Sequence, residues 1–98
     1  MTSDGDKTEI VKDEARRRYA ILVDGKAAGA ADFLVQGETV ELPHTYVDPA
    51  RRGQGLAGIL IRHALDDIIA SGRKVKPTCP YVRAYIDTHP EYADSVAG

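Results

Sequence analysis

Val47-Asp48-Pro49-Ala50-Arg51-Arg52-Gly53-Gln54-Gly55-Leu56-Ala57-Gly58 is the stretch on which the fold turns. Before it, apolar residues recur at every second position; after it, at every third or fourth, so the segment joins a strand to a helix. Its glycines let backbone N–H groups converge on a ligand without interference from Cβ atoms, and the first turn of the following helix offers unpaired donors at the positive end of its dipole. With the charges of Arg51 and Arg52 added, the segment reads as a pyrophosphate cradle. The plainer alternative is a tight strand-to-helix turn built on Gly53 and Gly55. Neither the Gly-Lys-Ser/Thr of a P-loop nor the three-glycine dinucleotide pattern is present.

Upstream, short β runs are expected at Thr8 to Asp13, Arg17 to Val23, Lys26 to Val35 and Glu38 to Val47. Asp24-Gly25 between the second and third is the signature of a type I′ hairpin turn. Gly29 among alanines marks a close approach of another backbone. Alternation in the fourth run puts Val40, Leu42, His44 and Tyr46 on one side, and Pro43 predicts a bulge, bend or exposed edge, since proline donates nothing to a ladder. Downstream, Ala57, Leu60, Ile61, Ala64, Leu65, Ile68 and Ile69 form the apolar stripe of a helix ending at Gly72. Lys74 to Lys76 reads as a short strand, and Pro80 opens a second helix through Thr88 with Cys79 as its N-cap. The expectation is an α/β (α+β) fold: a twisted, mainly antiparallel sheet of about five strands with one long and one short helix. Residues 1–7 read as a disordered leader, and residues 8–98 as a single domain.

The net charge of −2, from 13 basic and 15 acidic residues mixed along 98 positions, speaks against nucleic acid as a partner. No apolar run reaches the roughly 20 residues of a membrane span and no signal peptide is evident, which predicts a cytoplasmic chain without a membrane partner. The single cysteine lacks the companions a zinc site needs, so no metal is expected.

The chain resembles the GNAT superfamily of N-acetyltransferases. Val47-Asp48-Pro49 matches the Val-x-Pro that ends a strand in that family, and Arg52-Gly53-Gln54-Gly55-Leu56-Ala57 matches the Arg/Gln-x-x-Gly-x-Gly/Ala that follows it. More narrowly, His44-Thr45-Tyr46-Val47, Pro77-Thr78-Cys79-Pro80-Tyr81, Tyr85 and His89-Pro90-Glu91-Tyr92 resemble a small single-domain branch of it, from about Thr8 onward. The resemblance implies a minimal GNAT-like fold, acetyl-coenzyme A as co-substrate, and an amine acceptor, a protein or peptide among the possibilities. It implies coenzyme contacts at Val47, Arg52, Gly53, Gln54, Gly55, Leu56, Ala57, Gly58 and Pro80. Members of the superfamily are ordinarily longer, with helices between their first two strands; here only Glu14 to Arg16 intervene, so the acceptor pocket does not carry over.

Three residues are candidates for chemistry. Cys79, at a helix N-terminus where dipole and free N–H groups favour thiolate, could take the acetyl group or assist beside the thioester; the plainer reading is a small side chain packed between prolines. Tyr85 could protonate the leaving thiolate, as a tyrosine on the last helix does in many relatives, or could be a core aromatic beside Tyr81, Val82 and Ile86. His44 could deprotonate an ammonium, since histidines titrate near neutrality, or could simply pack beside Pro43. His63 and Arg16, Arg17 and Arg18 read as solvated, the arginines with the capacity to steer an acidic partner. The leading reading is an acetyltransferase acting on an amine, directly or through Cys79. The alternatives are a non-catalytic acyl-coenzyme A binding or sensing module, and a structural domain with no coenzyme affinity.

Overall fold

A computed structural model of the chain describes residues 7–51 and 53–97. The leader expected over residues 1–7 lies, apart from Lys7, outside the described residues. Lys7 itself is held to the β hairpin, donating from its backbone N–H to Asp24 Oδ1 at 2.9 Å.

Five strands form one sheet in sequence order: β1 (Thr8–Asp13), β2 (Arg18–Val23), β3 (Lys26–Gln36), β4 (Thr39–Val47) and β5 (Lys74–Lys76). Neighbours are antiparallel except β4 and β5, which run parallel across helix α1 (Leu56–Ala70). Helix α2 (Pro80–Thr88) follows β5, and a 3-10 segment (Pro90–Ser95) leads to Val96, which bridges to Val75 on the outer side of β5. This is a mixed α/β architecture with the expected five-stranded sheet and the expected long and short helices. Asp24 adopts φ 52° and Gly25 φ 82°, as the type I′ turn between β2 and β3 requires.

One face of the sheet carries the core. Tyr19, Ile21 and Val23 of β2, Ala31 and Phe33 of β3, and Val40 and Leu42 of β4 pack against Leu60, Ile61, Ala64, Leu65 and Ile68 of α1 and Val82 and Ile86 of α2. Antiparallel sheets tolerate solvent on one face, and here, among the described residues, the face bearing Val11, Ala20, Ala30, Asp32 and Tyr46 carries no helix and no fully buried side chain.

Two irregularities set the site. Gly29 lies so close to β4 that a Cβ there would meet Tyr46 O at 2.5 Å, the backbone approach that its sequence setting predicts. The β3–β4 register then slips between Asp32 and Leu34, because two residues of β4, Leu42 and Pro43, oppose the single residue Phe33. Val40 and Leu42 face the core before this bulge, but Thr45 does so after it, while His44 and Tyr46 are exposed. The expectation of Val40, Leu42, His44 and Tyr46 on one side is therefore corrected: the proline-associated bulge turns the last two to the helix-free face.

Candidate functional site

Strand β5 pairs only with the first three residues of β4, Thr39 to Glu41. Beyond them Pro77 and Thr78 turn the chain away, the Cys79 N–H makes one more bond to Leu42 O at 3.0 Å, and α2 begins. The remainder of β4 is left with an open edge. The Asp48 N–H bonds Ala28 O at 2.7 Å, and alternation in this register directs His44 and Tyr46 towards β3 as well. The peptide groups of Thr45 and Val47 consequently face the gap between β4 and α2.

The gap opens into a cleft of about 420 Å³ lined by Thr45, Tyr46, Val47, Arg51, Gly53, Gly55, Leu56, Ala57 and Tyr81. At one end stands the N-terminus of α1. Gly53 and Gly55 have φ of 84° and 74°, a left-handed conformation that side chains resist, and Gly55 caps the helix with no side-chain hydrogen bond. The first helical bond is donated by Ile59 to Gly55 O at 3.2 Å, so the N–H groups of Leu56, Ala57 and Gly58 have no partner in the helix. An uncapped helix start behind a glycine turn, with Arg51 on the wall, has the donor set an anionic pyrophosphate needs. Acetyl-coenzyme A therefore fits the residues present: donors for its phosphates, peptide groups along β4 for its amides, and a mainly apolar lining between.

The expected binding residues are distributed unevenly about this cleft. Val47, Gly53, Gly55, Leu56 and Ala57 line it. Gln54 is exposed between the two glycines, Gly58 lies in the first turn of α1 on the side of Tyr85, and Pro80 forms the first turn of α2; Arg52 lies outside the described residues.

Cys79 is buried, only 3% exposed, directly behind Thr45, with Sγ 3.5 Å from Thr45 Oγ1. Burial pushes its thiol up, but the Thr45 hydroxyl and the N–H groups of Val82, Tyr81 and Thr45 aimed at the sulfur outweigh this and leave it below the ordinary cysteine range. Tyr85 stacks on His89 with ring centroids 3.8 Å apart, and its ring lies beside the flank of α1, where a Cβ on Gly58 would come within 3.7 Å of it, rather than lining the cleft. Burial raises its phenol above the usual value. His89 Nδ1 lies 2.8 Å from Tyr85 O, closing the end of α2. His44 is exposed on the helix-free face, one residue from the cleft wall.

Two cleft aromatics were not singled out by the sequence. Tyr81, 58% exposed, and Tyr46, 52% exposed, both border the cleft. Their placement depends on the splay of α2 from β4 and on the bulge at Pro43. The hints in the sequence were indirect: both tyrosines fall within the motifs that carry the family resemblance, and Tyr81 lies one helical turn before Tyr85.

The chain matches the model of the family described as GCN5-related N-acetyl-transferase over residues 18–95. Among known sequences it is 32% identical to protein NATD1 of Xenopus tropicalis over 84 residues, covering 83% of this chain and 76% of that protein. It is 30% identical to protein NATD1 of Danio rerio over 95 residues, covering 92% and 86%. Among solved structures, a GCN5-like N-acetyltransferase candidate from Staphylococcus aureus superposes with TM-score 0.70 at 20% identity, covering 92% of this chain and 88% of the other. A ribosomal-protein alanine N-acetyltransferase from Escherichia coli superposes with TM-score 0.65 at 18% identity, over 89% of this chain and 56% of that enzyme.

Proposed function

Since this chain belongs to the GCN5-related N-acetyltransferase family, we propose that it binds acetyl-coenzyme A in the β4–α1 cleft and transfers the acetyl group to an amine. The observation that carries this reading is the uncapped start of α1 behind Gly53 and Gly55, opening into the cleft beside Arg51. Bound there, acetyl-coenzyme A supplies an activated thioester. The free N–H groups of Leu56, Ala57 and Gly58 hold its phosphates, and the carbonyl groups of Thr45 and Val47 accept from the N–H groups of its amide-bearing arm. The Val47 N–H is the donor for the oxyanion that develops on the thioester carbonyl. The amine nitrogen forms the new C–N bond, the C–S bond breaks, and the amine loses a proton to His44 or water. Tyr81, which with Tyr46 borders the cleft where Tyr85 does not, supplies from the α2 side a phenol to protonate the departing sulfur.

Direct transfer is favoured over a Cys79 intermediate because the thiol lies behind Thr45 and is almost fully covered. Cys79 is then a buried support for the β4 edge. Calorimetric titration with coenzyme A, beside intact mass after incubation with acetyl-coenzyme A, tests both points. Binding without an acetyl adduct on Cys79 is expected; an adduct that vanishes in Cys79→Ala would restore the covalent route, and no binding would overturn the proposal.

A non-catalytic acyl-coenzyme A sensor is the second reading. It is favoured by one observation: Arg51 is the only charged side chain among the described cleft residues, so no carboxylate or imidazole lines the cleft itself. A sensor would leave coenzyme release unchanged when amines are added.

A further inference from the structure

The β1–β2 turn carries Arg16, Arg17 and Arg18, three successive cations that the acetyl-transfer reading leaves unused. With Asp32, Phe33, Leu34 and Pro43 they border a shallow depression of about 310 Å³. Arg17 is held at φ 56°, a left-handed conformation that ordinarily falls to glycine or asparagine, and its carbonyl is fixed by the Phe33 N–H at 2.9 Å. The backbone at this corner is thus tied to β3 while the Arg17 side chain stands exposed, with no ion-pair partner among the described residues. Arg16 reaches Asp13 only at 3.9 Å and Arg18 reaches Asp32 only at 3.8 Å, too long for the tight paired hydrogen bonds a guanidinium makes with a carboxylate. Three guanidinia therefore face two loosely held carboxylates, beside the apolar surface of Leu34 and Pro43.

Position decides what this depression serves. Pro43 borders it, and Thr45 and Tyr46 border the coenzyme cleft, so both lie along one strand. From Pro43 to Tyr46 is three extended residues, about 10 Å. Leu34 and Tyr46 are exposed, and among the described residues no helix covers the face on which Tyr46 and His44 stand. An extended chain can cross that open face between the two sites, whereas none of the described residues there encloses a small molecule.

We propose that the acceptor is an acidic peptide segment whose carboxylate docks in the Arg16–Arg17–Arg18 depression while its amine, about three residues away, reaches the cleft mouth beside His44 and Tyr46. This rests on the acetyl-transfer reading. Leu34 and Pro43 support the methylenes of the acidic side chain, and the guanidinia supply charge-assisted donors to its oxygens.

The test uses two C-terminally labelled peptides with a free α-amine at the first position, differing only in Glu or Gln at the fourth, measured by fluorescence anisotropy with coenzyme A present. The Glu peptide is expected to bind about tenfold more tightly, the scale of a hydrogen bond to a charged group. A variant joining Arg16→Gln with Arg17→Asn, the asparagine suiting the left-handed turn, should bring the two peptides within about twofold of each other and leave its melting temperature and coenzyme A titration unaltered. Equal binding of both peptides to the unaltered protein, or a Glu preference that survives in the variant, would overturn the inference. Failure of coenzyme A to bind in the parallel calorimetric titration would instead overturn the acetyl-transfer reading, and the peptide comparison would still report on the depression.

Discussion

The Tyr19 hydroxyl sits at the junction of β2 with α1, donating to Asp67 Oδ2 at 2.8 Å, while Lys12 of β1 reaches the same oxygen at 2.9 Å. The Lys12 ammonium also lies 5.6 Å from the Tyr19 ring centroid and 5.4 Å from that of Phe33, so one carboxylate fastens the edge strand and its neighbour to the helix. Tyr19→Phe removes one hydrogen bond without opening a cavity. It should cost about 1 kcal/mol, read as a fall of roughly 4 to 8 °C in melting temperature. Cys79 sets two effects against each other: its neighbours favour thiolate, the reactive form, whereas only 3% of the residue is exposed. Reactivity requires access as well as ionisation, so burial wins. Iodoacetamide followed by intact mass should label the native chain far more slowly than the denatured one, and comparable rates would show that the thiol is open to the cleft.

Strand β4 was legible as a strand but not in its orientation. Alternation of apolar and polar residues from Val40 onward assumes an unbroken ladder, and the doubled position at Leu42–Pro43 breaks it, reversing which side chains face the core. The proline announced a break without saying in which direction the following residues would turn. The same limit applies to the site. Gly53 and Gly55 could be read locally because a helix start needs only its own turn, and the long stripe of α1 is local as well, apart from Ile69, which is 38% exposed at its margin. Tyr46 and Tyr81 could not be read, because their meeting depends on how far α2 splays from β4 after Cys79 bonds Leu42. Gly29 ties the two levels together. In Gly29→Val a side chain would press on Tyr46 O and on Val47 Cα, 2.5 and 3.2 Å from the new Cβ, and would force β3 and β4 apart. A loss of about 1 to 3 kcal/mol is expected in urea denaturation, together with weaker coenzyme A binding, since Val47 is a wall of the cleft. Unchanged coenzyme affinity in a folded variant would show that the β4 edge does not contribute to binding.

At the scale of the whole molecule, two tyrosines hold the layers together and set the alkaline limit of stability. Tyr19 fastens the sheet to α1; Tyr92, in the 3-10 segment after α2, donates to Asp66 Oδ1 at 2.7 Å and fastens the C-terminal part to the same helix. Burial, with the partner carboxylate next, raises both phenols, Tyr92 to about 12. A group whose pKa rises on folding binds its proton more tightly in the native state, so its contribution is complete below the unfolded value near 10 and is lost as pH climbs through the folded one. For Tyr92 the two-unit window corresponds to on the order of 3 kcal/mol. Asp67 works in the opposite sense. Burial raises it, but the Lys12 ammonium and the Tyr19 hydroxyl together hold it below the usual carboxylate range, so its contribution is present above the unfolded value near 4 and fades as pH falls below that. Urea midpoints should accordingly form a plateau through neutrality, decline below about pH 4, and fall steeply between about pH 10 and 12. Tyr92→Phe should lower the plateau by about 1 kcal/mol and make the alkaline decline shallower. An alkaline limb equally steep in that variant would assign it to the Tyr19–Lys12–Asp67 cluster, where Asp67 raises the Lys12 ammonium as well, and would mean that the C-terminal segment can release from α1 without unfolding the sheet.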